Sequence, residues 1–139
     1  MKMNWFILAL IAMISFTILF LILKKIADFG INSAVIYFYT SILAALVALI
    51  YIFGSNLRLN VNTYSLFLLI IVGIIAFIGN VFLIESLKVA PNPGYSLAVI
   101  AMNNVLVAII SVFVFKSEIT LIKGFGILLA IIGTILLGL

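Results

Sequence analysis

The sequence predicts an all-α protein that crosses a membrane with about five helices. Of its 139 residues, 68% are hydrophobic and only 7% are charged, so the chain has too few polar side chains to cover a water-soluble surface. The charges gather in short segments. The apolar stretches between them approach the ~20 residues that a helix needs to cross ~30 Å of hydrocarbon. We therefore expect a multi-pass protein of the cell (plasma) membrane, with the lipid bilayer as its main solvent.

The predicted spans are five apolar runs separated by short polar links. None alternates apolar and polar residues as the strands of a membrane barrel do, so each is predicted to be a helix. The first run is followed by Lys24 and Lys25 rather than by a small-residue cleavage site, which predicts a retained span and not a signal peptide. No link is long enough for a soluble domain, so residues 1–139 are predicted to form a single membrane domain. The runs cover residues 4–23, 33–53, 64–84, 95–115 and 121–138.

The composition also disfavours several classes of chemistry. The chain has no cysteine and no histidine, so it lacks disulfides, thiolate or imidazole metal ligands, and the usual nucleophile and base pairs. The net charge of +4 is spread over helix ends, where it would meet lipid headgroups, and forms no basic stripe for a nucleic acid. We expect neither an enzyme nor a nucleic-acid-binding protein, and we predict no metal and no cofactor.

The basic residues are almost evenly divided between the two predicted faces of the membrane. With five spans, Lys2, Arg58, Lys116 and Lys123 share the N-terminal face, and Lys24, Lys25 and Lys88 share the other. The difference, 4 minus 3, is one residue, whereas a definite orientation normally needs a clear excess of Lys and Arg on one side. Insertion in both orientations is therefore open, although so small a difference also arises by chance among seven basic residues.

The fourth run carries the clearest polar face. At 100° per residue, four polar side chains fall within a sector of roughly 100°, and two of them are adjacent asparagines near the middle of the span, where an amide that faced lipid would be costly. One interpretation is a wall that contacts a solute; the other is hydrogen bonding between helices. The four residues are Ser96, Asn103, Asn104 and Ser111.

Three further polar residues are candidates for contact with a solute or a proton. Asn80 continues a small-residue face of the third run, and Tyr37 of the second run offers a hydroxyl and a stacking surface. Glu85 is the acid nearest a span, where a protonatable carboxylate can couple proton movement to transport. It also stands three residues before Lys88, which favours an interfacial ion pair instead. Additional hydroxyls come from Ser15, Thr17, Tyr39 and Thr40.

The last run has small residues at strict intervals of four. Gly126, Ala130, Thr134 and Gly138 form one face that would let two helix backbones approach closely, which is how helices associate where lipid provides no hydrophobic drive. The pattern predicts a packing seam, either within the protein or with a second copy, unless it is accidental in a glycine-rich span.

Two motifs in the second half of the chain carry a family resemblance. Residues 86–94 (SLKVAPNPG) lead into the fourth run, and residues 115–120 (FKSEIT) lead into a last run that contains Gly124 and Gly133. Over about residues 80–138 the chain resembles the EamA domain of the drug/metabolite transporter superfamily. It departs from the family pattern at Asn103, where a proline is frequent, and at residues 116–117, which replace a glycine before the acidic residue.

The resemblance implies a half-size transporter. A full-length member of that superfamily resembles two such domains joined in opposite orientations, so a lone domain implies an antiparallel homodimer that moves a small organic solute by alternating access. Binding near the membrane midplane between inverted repeats is physically consistent with this arrangement. The alternative is a non-transporting membrane subunit that docks on another membrane protein through its glycine-containing face.

Overall fold

The computed structural model describes residues 5–116 and 120–138, and all regular structure in those ranges is α-helical. The chain divides between Val89 and Ala90 into two compact units, which are described separately. The helices are α1 (Trp5–Ala27), α2 (Ser33–Gly54), α3 (Thr63–Val89), α4 (Pro93–Phe115) and α5 (Leu121–Gly138). The prediction of an all-α, multi-span membrane protein is confirmed, whereas the prediction of a single membrane domain over residues 1–139 stays a prediction.

In the first unit, α1 packs against both α2 and α3, and α2 packs against α3. The buried residues lie where α1 ends, α2 begins and α3 ends, which we call the turn end. They are Ala27, Ser33, Ile36, Ile84 and Leu87. At the opposite end, which we call the loop end, α2 finishes and α3 starts, and large apolar side chains such as Ile50 and Phe53 are exposed. The two ends of the unit are therefore packed very differently.

A tight turn joins α1 to α2. Gly30 has a positive φ of 74°, a conformation that glycine adopts without steric cost. Its N–H donates to the Ala27 carbonyl over 3.1 Å. The side chain of Asn32 then caps α2 by accepting a hydrogen bond from the Ala34 N–H at 2.9 Å, as asparagine commonly does at helix starts. This turn sets α1 and α2 side by side.

The link from α2 to α3 is longer, and α2 ends in a different backbone conformation from α1. Asn56 has a φ of 52°, its N–H donates to the Phe53 carbonyl, and the Leu57 N–H donates to the Ile52 carbonyl. These bonds form a Schellman motif that satisfies the last carbonyls of α2. Asn62 immediately precedes α3 and caps its first turn: the Asn62 side chain accepts a hydrogen bond from the Ser65 N–H at 2.7 Å.

The second unit is a helical hairpin in which α4 packs against α5. Asn92 caps α4 by accepting from the Gly94 N–H at 2.8 Å. Pro93 occupies the first turn, where its missing N–H costs nothing. Helix α4 thus starts two residues earlier than the apolar run at 95–115. At its other end, Lys116 adopts the left-handed conformation with a φ of 51°.

Four helices, α1 to α4, are long and apolar enough to cross a membrane. Helix α5 has 18 residues, which corresponds to about 27 Å at 1.5 Å per residue. Both α1 and α3 continue past the predicted ends at 23 and 84 to Ala27 and Val89. Their extra turns carry Lys24, Lys25, Glu85 and Lys88. Charged side chains end an apolar run without ending a helix, because long lysine stems reach toward the headgroups.

Candidate solute cleft

The first unit contains a cleft of about 600 Å³, which lies within the size range of sites for small molecules. Its lining residues come from α1, α2 and one residue of α3, and they extend from about the midpoints of α1 and α2, at Ser15 and Ala44, toward the turn end. We call it the central cleft. It is lined by Ser15, Ile18, Leu19, Ile22, Leu23, Ile26, Tyr37, Thr40, Ser41, Ala44 and Asn80.

The wall of the central cleft is mainly aliphatic, with a few uncharged polar groups. The Asn80 side-chain amide donates to the Ala76 carbonyl at 2.8 Å, which leaves its own side-chain oxygen able to accept a hydrogen bond. Thr40 donates to the Ile36 and Tyr37 carbonyls over 3.1 and 3.0 Å. These bonds to the same helix allow hydroxyl and amide groups to exist at membrane depth.

Two of the predicted candidates, Tyr37 and Asn80, meet in this cleft. The Tyr37 ring packs edge to face on Phe77 of α3, with centroids 5.8 Å apart, so α3 holds it in place. Thr40 and Ser15 also line the cleft. Tyr39 and Thr17 do not, and Thr17 donates to the Met13 carbonyl of its own helix.

An apolar cluster closes the central cleft toward the turn end. Ala27 of α1, Ile36 of α2 and Ile84 of α3 are each at most 4% exposed and contact one another. Leu23, Ile26 and Tyr37 pack against this apolar cluster, and the same three residues line the cleft. The cleft therefore ends directly against the apolar cluster.

A polar cluster connects all three helices at the turn end. Its residues on α2 and α3 lie nearer the helix ends than Ile36 and Ile84 do, whereas Lys24 on α1 precedes Ala27. The carboxylate of Glu85 on α3 accepts a hydrogen bond from the hydroxyl of Ser33, the first residue of α2, and pairs with Lys88 at 3.0 Å. Lys24 of α1 donates to the backbone carbonyl of Lys88 over 3.3 Å and pairs with Asp28 at 2.9 Å. The polar cluster is Lys24, Ser33, Glu85 and Lys88.

Glu85 thus has defined partners. Its ion pair with Lys88 has the spacing that the sequence indicates, and its contact with Ser33 adds a link to α2. The Glu85 side chain is 57% exposed in the single chain. Its predicted role in proton coupling stays a prediction.

The predicted polar face of α4 belongs to the second unit. Asn103 and Asn104 are exposed there, and Ser96 and Ser111 are partly buried. Only Val105 of α4 is counted as buried among the described residues of this unit. The two asparagine side chains are thus accessible to a ligand, to lipid or to another helix, and their role in solute binding stays a prediction.

The small-residue face of α5 is also accessible within the chain. A Cβ atom built at Gly126 meets nothing within 4 Å, Ala130 is exposed, and Thr134 donates to the Ala130 carbonyl at 2.9 Å. The surroundings of Gly138 lie outside the described residues. Gly126 and Ala130 therefore have room for a second helix, and their role as a seam stays a prediction.

Sequence reasoning missed three residues of this region: Ser33, Ser41 and the inter-helix role of Lys24. A signal for two of them was present, since Ser33, Tyr37, Thr40, Ser41 and Ala44 fall within roughly 100° of one another around α2. Lys24 gave no such signal. Its bond to the Lys88 carbonyl joins residues 64 positions apart, which no local pattern indicates.

The helices define a multi-pass membrane protein with an uncharged cleft among its spans. Residues 3–139 match the model of the EamA-like transporter family. The chain is therefore a member of that family, whose proteins are membrane transporters of small solutes rather than enzymes. Searches of curated proteins and of solved structures find no match to the chain.

Proposed function

We propose that this protein is a half-size transporter of the cell membrane that works as an antiparallel homodimer and moves a small organic solute by alternating access. The observation that carries the proposal is the central cleft, an uncharged site among the helices of an EamA-like chain. Transporters built from inverted repeats bind their solutes near the membrane midplane, and the cleft reaches the midpoints of α1 and α2 at Ser15 and Ala44.

The lining of the central cleft favours an uncharged or weakly polar solute with a substantial apolar part. Hydroxyls and one amide supply its polar groups, and none of its lining residues is charged. A charge without a partner in such a site would lose hydration that nothing replaces. We expect small molecules that present one hydrogen-bonding edge to Asn80 and Thr40 and an apolar body to the aliphatic wall.

Three observations support an antiparallel pair of chains. The basic residues divide 4 to 3 between the two faces, so neither orientation is strongly favoured. Gly126 and Ala130 on α5 have room for a second helix. Large apolar side chains on every helix are exposed in the single chain, and a second copy could cover part of that surface.

Solute binding is tested with purified protein by a thermal-stability screen, because a ligand that binds only the folded state raises the melting temperature. The panel contains amino acids, nucleosides, sugars and organic cations, and compounds that stabilise the protein are then tested for saturable flux into liposomes. A chain that binds no compound and moves none would contradict the transporter proposal and favour the docking subunit.

The location of the site is tested with leucine substitutions at asparagines. Asn80→Leu should abolish binding of a compound found in the screen if the central cleft holds the solute. Asn103→Leu and Asn104→Leu should do the same if the polar face of α4 contacts the solute. A lower melting temperature with unchanged affinity for the compound would instead assign the substituted asparagine to helix packing, where one hydrogen bond contributes about 1 kcal/mol.

The dimer is tested by Gly126→Leu, which should shift the purified protein from dimer to monomer by separating the helix backbones. Leu128→Phe is the control, since it adds bulk about 200° away around α5. The accessibility of tags at both termini reports orientation. A single orientation in every molecule, or a dimer unaffected by Gly126→Leu and Ala130→Leu, would contradict the antiparallel pairing through α5.

A further inference from the structure

We propose that the polar cluster and the apolar cluster together form a gate that closes the central cleft at the turn end, and that separation of Ser33 from Glu85 opens it. This inference rests on the proposed transport function, but its test needs no solute. It assigns a role to four side chains, Lys24, Ser33, Glu85 and Lys88, that is distinct from contact with the solute.

The first argument is the order of layers along the helices. The central cleft ends on Leu23, Ile26 and Tyr37, which pack against the buried apolar cluster. On α2 and α3 the polar cluster follows nearer the helix ends, where Ser33 begins α2 and Lys88 is in the last turn of α3. Lys24 reaches the Lys88 carbonyl from a position on α1 that precedes Ala27. A solute that leaves toward the turn end must therefore displace both layers.

The second argument is that the connections between helices are few and reversible. The side-chain hydrogen bonds described between these helices run from Ser33 of α2 to Glu85 of α3, and from Lys24 of α1 to the Lys88 carbonyl of α3. The Glu85 side chain is 57% exposed, so water can replace its partners when the helices separate. A fully buried ion pair would be much more costly to break.

The third argument is that a hinge lies next to the polar cluster. Gly30 takes a positive φ in the turn between α1 and α2, and a Cβ at this position would meet nothing within 4 Å. Hinges of this kind absorb backbone rotation in a few residues at the ends of elements. Rotation at Gly30 would move Ser33 and Ile36 away from α3, and both layers would open together.

The test uses thiol labelling, because the chain has no cysteine of its own. Ile36→Cys places a reporter in the apolar cluster, where the native side chain is 4% exposed. The protein is held in lipid nanodiscs, so that a water-soluble maleimide reaches both faces, and the labelling rate is measured without any solute. The gate is then weakened by Ser33→Ala or by Glu85→Ala.

We expect either substitution to raise the labelling rate of the Ile36→Cys thiol by about tenfold or more, the order of change that follows loss of one hydrogen bond to a charged group. Glu85→Gln, which keeps an oxygen that can accept from Ser33, should give a smaller increase. Asp28→Ala is the matched control. It removes a carboxylate at the same end whose described ion pair is with Lys24, four residues earlier in the chain, and does not involve α2 or α3, and it should leave the rate nearly unchanged.

A second reporter separates opening of the gate from unfolding. Val105→Cys is placed in the second unit, where Val105 is buried, and its labelling should stay slow in the Glu85→Ala background. Equal acceleration at both reporters, or no more acceleration by Ser33→Ala and Glu85→Ala than by Asp28→Ala, would overturn the gate. Solute flux with unchanged labelling rates would support the transporter and contradict the gate. The expected increase in labelling, without any solute flux or binding, would support the gate and contradict the transporter.

Discussion

The turn end and the loop end of the first unit contain the same three helices but are stabilised in different ways. At the turn end, buried side chains from all three helices meet, and both described hydrogen bonds between side chains and other helices of this unit are found there. At the loop end, Leu46, Ile50 and Phe53 of α2 are exposed. Helices that are held at one end and free at the other can separate around a cleft without losing the whole fold.

The difference follows from what lipid can and cannot stabilise. Apolar side chains gain little by leaving lipid for a protein interior, so close packing and hydrogen bonds are the main sources of helix association. Both are concentrated at the turn end. The exposed apolar residues of the loop end are suited to contact lipid or a second copy, and they do not hold the three helices together.

The largest expected effect is a contrast between two leucines. Leu87 at the turn end is 0% exposed and Leu46 toward the loop end is 50% exposed. Leu87→Ala should lower the free energy of unfolding by about 2–4 kcal/mol, because it leaves a cavity among packed helices. Leu46→Ala, the same chemical change, should cost less than about 1 kcal/mol. Denaturant titration of both variants in micelles measures the difference, and equal losses would break the comparison.

Alanine substitution of one glycine at each end should change the free energy of unfolding by a smaller amount, with opposite signs at the two ends. Gly30→Ala should lower the free energy of unfolding by about 1–2 kcal/mol, because alanine is strained at a φ of 74°. Gly54 is the last residue of α2 and a Cβ there meets nothing within 4 Å. Gly54→Ala should be neutral or stabilise by up to about 1 kcal/mol. Thermal unfolding of the pair provides the measurement, and a stabilising Gly30→Ala would contradict the hinge conformation.

The smallest effect distinguishes two adjacent lysines of the turn end. Lys24→Met removes the bond to the Lys88 carbonyl and the ion pair with Asp28, and it should lower the free energy of unfolding by about 0.5–1 kcal/mol. Lys25 is exposed, and Lys25→Met should have almost no effect on stability. Both variants remove one positive charge from the same face, so any change in membrane orientation should be the same in the two. Equal stability of both variants would show that Lys24 does not help to hold α1 against α3.

The sequence by itself determined the class of fold, because continuous apolar runs that lack the alternation of a barrel strand can satisfy their backbone in lipid only as helices. It also located the links between the helices as the gaps between apolar runs, and Gly30, Asn56 and Pro93 lie in those gaps, where their backbone preferences suit helix ends and starts. The helix ends in α1 and α3 were less well predicted, because hydropathy reports where lipid ends and not where helical hydrogen bonding ends.

Only the tertiary structure decided which polar residues come together. Tyr37 and Asn80 were candidates from the sequence, yet their meeting in one cleft depends on how α2 and α3 pack. The two partners of Glu85 differ in the same way. Lys88 is three residues away on the same helix, so helical spacing predicts the pair. Ser33 is 52 positions away, and no local pattern indicates the contact. Side-chain contacts between distant segments are set by the mutual fit of whole helices, and a one-dimensional pattern contains little of that information.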